Sequence, residues 1–433
     1  MNANSVFAVI MTNPAAILMV GALLAALLPD SRAGLRRPFL LVFLAFSAAE
    51  LARLGLGEYG TLSLFGESMT MVRLDPLSRL FAVVFHIAAA LNILYAWHDK
   101  GRATVFAGLA YPAAALGGVV AGDLVTLFVW WEMTAVISAI LVFAGGTRAS
   151  FTAGMRYLGV QILSGVLLLG GIALLYVETH SLAFGPIPLR DGAGDIRLSA
   201  LLIFLGFGIK SAFPLLHNWV QDAYPKSTVS GTIILSIFTT KLAVYALARS
   251  FAGEPSLIWL GAIMTLFPVF FALIENDLRK VLCYSINNQV GFMVVGIGVG
   301  TAAAVNGAVG YAFCNIIFES LLFMAVGAAM YRTGTAKATE LGGLYRTMPL
   351  TMIFCVIGAL SISAFPFFAG FVTKGMIIDG VAGQHHFWIW LALLFASAGV
   401  LEHAGIKIPY FTFFAHDSGK RPKEAPPMML LAM

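Results

Sequence analysis

Apolar runs of membrane-spanning length recur along the chain, separated by mostly short polar links. Thirteen can be marked, at 6–28, 38–55, 76–97, 103–121, 123–144, 153–177, 198–218, 228–249, 256–275, 285–301, 307–331, 348–378 and 387–413. A helix needs about 20 apolar residues to cross a hydrocarbon core roughly 30 Å thick. Inside that core a helix satisfies its own backbone donors and acceptors, so the pattern predicts an all-α polytopic membrane protein. The first run lacks a basic leader and is long enough to span, which predicts a first helix and not a cleaved signal. The longest link, 178–197, contains GPIPLRDGAGD and reads as a surface turn region. With no long linker to divide it, the chain is expected to form one membrane domain over 1–433.

Composition excludes a soluble globular protein: 60% of residues are hydrophobic and 11% charged. The net charge of +5 does not indicate nucleic acid, because the basic residues are scattered through short links. With the N-terminus placed outside, cytoplasmic links carry 15 lysines and arginines and outer links carry 5. That asymmetry predicts a cytoplasmic C-terminal tail over 414–433. The tail turns apolar at PPMMLLAM, and a further helix is expected beyond it. Cys283, Cys314 and Cys355 are odd in number and lie in apolar runs, so no disulfide framework or cysteine-based metal site is expected. His385-His386 has no carboxylate or cysteine nearby, and the glycines at 296, 298 and 300 lack the strand-to-helix context of a nucleotide loop. Neither a redox cofactor nor a metal is predicted.

The remaining charges lie where hydropathy opposes them. Lys210 precedes Pro214 by four residues in an apolar run, and Lys241 sits in the middle of the next. Proline removes a backbone donor and opens a helix, and interrupted helices in transporters lie where the ion binds. Glu132 is central in LVTLFVWWEMTAVISAILVF; such a carboxylate either pairs with a cation, for which Lys210 is the natural candidate, or stays protonated. The bland alternative is an ion pair that only joins two helices, although such pairs stabilise poorly for their desolvation cost. Glu319 and Lys374 add two more charges in apolar runs, and Glu402, His403 and Lys407 lie in the last. At similar depth, Glu132, Lys210, Lys241, Glu319 and Lys374 would form a hydrated polar axis parallel to the membrane. His403 could gate a proton exit or simply lie at the interface. His217, Trp219 and Asp222 read as structural, and Asp277, Arg279 and Lys280 as link charges. Ser211-Ala212-Phe213-Pro214 recurs as Ser363-Ala364-Phe365-Pro366 five crossings later, so the two copies run in opposite directions.

These residues resemble the antiporter-like proton-translocating membrane subunits shared by respiratory complex I, membrane hydrogenases and Mrp-type cation/proton antiporters. The matching pieces are DPLS from Asp75, LVTLFVWWEM around Glu132, KSAFPLLHNWVQDAYP from Lys210, TTKLAVYALAR around Lys241, NDLRKVLCYSINNQVGF from Asn276, GTAKATELGGLYRTMPLT from Gly334 and FPFFAGFVTKG ending at Lys374. The ending, from GIKIPYFTFF onward, is more similar to the D-type subunits of Mrp antiporters than to complex I subunits. The resemblance implies about 13–14 helices and two inverted five-helix repeats, here 103–249 and 256–413 after N-terminal helices within 1–121, with the seventh and twelfth helices broken. It implies a proton path through Glu132, Lys210, Lys241 and Lys374, with partner membrane subunits in a bacterial inner membrane and monovalent cations exchanged for protons. The alternative it allows is a proton-pumping subunit of an NADH-quinone oxidoreductase-like or membrane hydrogenase complex. Glu319 departs from the family's usual lysine or histidine, and Asn315 lies at a neighbouring position often held by histidine.

Overall fold

In a computed structural model, residues 12–64 and 66–433 are described, and helices account for most of them. The opening part of the predicted 6–28 run lies outside the described residues; the rest forms α1, Pro14–Leu27. Next come α2, Arg36–Arg53, and an antiparallel hairpin of β1, Gly57–Leu64, and β2, Glu67–Leu74. Helices surrounding the first half of the site follow: α3, Pro76–Tyr95; α4, Arg102–Val120; α5, Leu124–Phe143; α6, Arg148–Thr179; α7, Leu198–Lys210, with the short α8, Asn218–Ala223; and α9, Val229–Ser250. The second half comprises α10, Pro255–Ile274; α11, Leu278–Val299; α12, Ala302–Thr333; α13, Pro349–Ile362; α14, Ala369–Gly383; and α15, Phe387–Val400. Beyond α15 the chain continues through wide π-type turns to Phe414, and α16, Pro427–Ala432, packs against α3.

Nine helices among the described residues are long and apolar enough to cross a membrane. The other four of the thirteen predicted runs fall short of that for separate reasons. The described part of α1 is short, α2 carries three arginines and a glutamate, and α7 and α13 stop early because the backbone breaks. The hairpin was not foreseen; its signal was the polar/apolar alternation of Thr61–Leu64 and Ser68–Leu74 around Gly66, within a link read only as polar. It is stitched to the bundle by Asp123, whose carboxylate accepts from Thr70 N at 2.9 Å and caps α5 through Thr126 N at 2.7 Å. Arg249 adds an ion pair to Asp75 at 2.7 Å, joining the end of α9 to the start of α3.

Polar residues start the helices even though their bodies are apolar. Asp75 and Ser78 form a capping box, while Asp123, Thr147, Thr228 and Thr301 each accept a backbone N–H of the first turn. Burial then sorts the helices by position. The apolar core of α9 is wholly buried and α11 nearly so, whereas α6 and α15 present most of their surface outward. Outward residues such as Val166, Val177, Phe395 and Trp388 are apolar, as a lipid-facing surface requires. The lysine in α9 is therefore confined to the most enclosed helix of the bundle.

The two broken segments share one backbone solution. Ala212 and Leu215 have φ of 62° and 70°; Ala364 and Phe367, at the matching places in the second Ser-Ala-Phe-Pro segment, have 57° and 73°. Phe213 N reaches back to Gly208 O at 2.9 Å, as Phe365 N does to Leu360 O at 3.1 Å. Left-handed φ at four non-glycine residues is strained, and proteins tolerate it where surrounding structure demands it. Each break leaves carbonyls of the preceding helix free inside the bundle.

Close helix contact in the second half rests on facing glycines. A Cβ on Gly291 of α11 would lie 2.8 Å from Gly261 O of α10, and a Cβ on Gly261 would lie 2.7 Å from Gly291 O. Neither backbone can retreat without separating the two helices. Gly291→Val is expected to lower the melting temperature of the detergent-solubilised protein by an amount matching overpacking of about 1–3 kcal/mol. An unchanged melting curve would show that the α10–α11 contact is not as tight as described.

Candidate ion-translocation site

The ionisable residues singled out from the sequence fall into two groups. In the first, Lys210, the last residue of α7, is fully buried and donates to Trp131 O at 2.5 Å and Thr134 Oγ1 at 2.6 Å. Its ammonium also lies 4.4 Å from the centre of the Trp131 ring, an arrangement that adds cation–π attraction. Trp131 is held in turn: its Nε1 donates to Ser164 Oγ at 3.0 Å, and Ser164 donates to Gly206 O at 2.7 Å. Glu132 is half-buried and points toward α6, where a Cβ on Gly165 would come within 1.5 Å of Oε1. Any larger residue at 165 would require that carboxylate to move. Oε1 has no hydrogen-bond partner.

The direct Glu132–Lys210 ion pair expected from the sequence is therefore not made. The two groups are close enough to interact electrostatically, but Lys210 is bound by a carbonyl and a hydroxyl of α5. The ammonium is held at Trp131 O and Thr134 Oγ1, while the Glu132 carboxylate is directed at Gly165 of α6. Thr134 and Gly165 were missed from the sequence because a threonine and a glycine in apolar runs look like ordinary packing residues.

The second group centres on a pair that is made. Lys241 Nζ of α9 lies 3.1 Å from Glu319 Oε2 of α12, both almost wholly buried, and donates to Ser236 O at 3.0 Å. Glu319, anomalous as an acid by the family pattern, is the counter-ion of Lys241. Lys374 Nζ of α14 donates at 3.0 Å to Ile362 O, a carbonyl freed where α13 breaks, and sits near the rings of Phe292 and Tyr311 at 4.9 Å and 5.5 Å. It is also within electrostatic range of Glu319. Among the described residues no hydrogen bond or ion pair links Lys210 to this second group. Buried polar side chains without protein partners include Thr240 on α9 and Ser285 and Asn287 on α11.

His403 is fully buried in the wide turn after α15, in electrostatic range of Lys374 and Lys407. Lys407 has a different arrangement. Its Nζ donates to Ala272 O at 2.9 Å, Leu273 O at 2.7 Å and Glu275 O at 2.8 Å, the orphan carbonyls at the end of α10. An ammonium has three donors, and all three are used. Outside the spans, Asp222 accepts from Arg156 at 2.6 Å and Lys226 at 2.5 Å. Burial alone would raise its carboxyl, but these hydrogen bonds hold it below the usual carboxylate range. Among the described residues no group of three or more metal-ligating side chains converges.

A family profile described as NADH:quinone oxidoreductase/Mrp antiporter, TM matches residues 121–399. The chain belongs to this family. Among curated relatives of this NADH:quinone oxidoreductase/Mrp antiporter member, the D-type Na(+)/H(+) antiporter subunit of Bacillus subtilis is 27% identical over 345 residues, covering 76% of this chain and 70% of that one. The N-type NADH-quinone oxidoreductase subunit of Desulforudis audaxviator is 31% identical over 350 residues, covering 75% and 69%. The fold is similar to a chain of the Mrp complex from a Dietzia species, with a TM-score of 0.81 at 24% identity over 94% of this chain and 80% of that one. A chain of the membrane-bound sulfane sulfur reductase, an archaeal respiratory membrane complex, gives 0.85 at 24% identity over 97% and 73%. Family membership and fold agree with a multi-pass membrane protein.

The bonding of Lys407 separates a cap from a carrier. Lys407→Met removes three hydrogen bonds to carbonyls and is expected to lower the melting temperature markedly, each charged-donor bond being worth about 1.5–3 kcal/mol. A melting temperature unchanged by the substitution would rule out the capping role.

Proposed function

We propose that this chain is the proton-translocating, D-type subunit of a multisubunit sodium or potassium/proton antiporter in a bacterial inner membrane, with its N-terminus on the periplasmic side. The observation that carries this reading is the placing of five ionisable side chains, Glu132, Lys210, Lys241, Glu319 and Lys374, within the bundle on α5, α7, α9, α12 and α14, four of them buried and two beside broken helices. Buried charges of this kind are costly and mark ion or proton paths. The name of the Bacillus subtilis relative supports antiport as the task, and the identical Ser-Ala-Phe-Pro breaks support two inverted repeats over 103–249 and 256–413.

Protons pass by titration along the axis. Glu132, seated against Gly165 without a fixed ion pair, is free to exchange a proton with the Lys210 region through water. On the far side, a proton arriving at Glu319 neutralises the counter-ion of Lys241. Lys241 then holds an uncompensated buried charge and is driven to pass its proton on, with Lys374, in electrostatic range of Glu319, as the next base. Each charge change biases the next because the sites interact.

The reading that remains beside it is a proton-pumping subunit of an NADH-quinone oxidoreductase-like complex, favoured by the 31% identity to an N-type subunit of that enzyme. The two differ in what drives the protons. In everted vesicles carrying the chain with its neighbouring subunits, added sodium or potassium is expected to collapse a preformed pH gradient, and Lys210→Ala to abolish the collapse. NADH-driven acidification without a cation response would favour the pump, and transport retained in Lys210→Ala would remove the axis.

Glu319→Lys gives an independent prediction. It places two ammonium groups where a 3.1 Å ion pair now sits, so loss of transport and of assembled protein is expected, although a basic residue is the family's usual choice. Normal transport by Glu319→Lys would mean that Lys241 needs no acid beside it.

A further inference from the structure

A cleft of about 330 Å³ is lined by Arg156, Tyr157 and Val160 of α6 and by Asn218, Trp219 and Asp222 of the short α8. Arg156 and Asp222 meet in an ion pair that is partly exposed, so the cleft has a charged, water-accessible edge. Tyr157 lines the cleft yet is itself buried, and its hydroxyl lies 2.8 Å from Ser138 Oγ on α5. Ser138 is one helical turn from Thr134, whose hydroxyl receives the Lys210 ammonium at 2.6 Å.

On α6, Gln161 lies one turn beyond Tyr157, is fully buried, and leaves both amide atoms without a protein partner. One turn further, Gly165 accommodates Glu132. The facing sides of α5 and α6 thus carry polar groups over about three turns. Packing does not require them. Ser138 Oγ already donates to Ala135 O at 3.0 Å, and a buried amide without partners is destabilising unless water satisfies it.

We propose that Tyr157, Ser138 and Thr134 form a hydroxyl relay carrying protons between the Asp222 cleft and Lys210, with water beside Gln161 bridging the last gap. This rests on the proton-translocating reading above. The Tyr157 hydroxyl is buried, so a water between it and the cleft passes a proton to the Tyr157 oxygen as the tyrosine gives its own proton to Ser138; that water is replenished from a hydronium in the cleft. Ser138 releases one to the bridging water, which protonates Thr134. The Thr134 hydroxyl, now turned from Trp131 O toward a deprotonated Lys210 Nζ, delivers the final proton. Every hydroxyl ends with one proton, as it began, and rotation resets the chain.

The test uses the assembled complex in everted vesicles, with the initial rate of cation-driven collapse normalised to the amount of complex. Tyr157→Phe keeps the ring and removes one oxygen; Ser138→Ala and Ser138→Thr respectively remove and keep the second hydroxyl. Expected results are a loss of at least about tenfold in Tyr157→Phe and Ser138→Ala, a near-normal rate in Ser138→Thr, and a solvent deuterium effect that disappears in Tyr157→Phe as slower bulk access takes over. A Tyr157→Phe rate within twofold of the unaltered complex, with Lys210→Ala inactive, overturns the relay alone. Activity in Lys210→Ala overturns the relay together with the functional reading. If Tyr157→Phe fails to assemble, equal rates for Ser138→Ala and Ser138→Thr overturn the relay.

Discussion

The cost of holding an ionised side chain in hydrocarbon constrains the rest of this fold. A lysine at the centre of a membrane helix costs at least about 2.5–3.5 kcal/mol, and this chain buries three such lysines almost completely, with Lys407 buried nearer one end. Each one is met differently. Lys210 takes a carbonyl, a hydroxyl and an indole face; Lys241 takes a carboxylate; Lys374 takes a carbonyl released by a helix break and two aromatic rings; Lys407 takes three carbonyls. Enclosing them requires α9 to be sheathed on all sides, which in turn leaves α6 and α15 to face lipid.

Helix breaks and charges are physically linked. A break exposes carbonyls that no water in the hydrocarbon can satisfy, and a cation is one of the few groups that can occupy that place. Lys374 sits at Ile362 O for this reason, while Lys210 ends its own broken helix and reaches across to α5. Strain at Ala212, Leu215, Ala364 and Phe367 is the backbone expression of the same arrangement. A hydroxyl relay from Tyr157 would supply Lys210 from the face of α5 that carries Ser138 and Thr134.

Much of this architecture was legible in the sequence because membrane helices announce themselves by length and apolarity. The thirteen runs coincide with helices wherever the residues are described, and the twin Ser-Ala-Phe-Pro motifs mark the two places where helices stop short. The hairpin at 57–74 was hidden in a polar link, since strand pairing leaves a weaker signature than a spanning helix. Candidate charges were equally visible, most being alone in an apolar run, with Glu402, His403 and Lys407 together in the last. Their partners were not. The pairing of Lys241 with Glu319 joins residues 78 apart in sequence, and the seat of Glu132 depends on a glycine whose only property is its lack of a side chain. Lys407 likewise fastens a neighbouring helix end through three carbonyls that its position in an apolar run did not reveal.

Whether the buried charges serve transport or only architecture is decided most directly at Lys241 and Glu319. Replacing a buried ion pair by apolar residues of similar size is often neutral or stabilising, whereas removing one partner costs about 3–5 kcal/mol. The double replacement Lys241→Met with Glu319→Met therefore separates the two roles. Melting temperature and cation-driven proton flux would be measured on the same assembled preparation. A complex as stable as the unaltered one but without proton flux is the predicted result; equal stability with full flux would contradict a proton path through this pair.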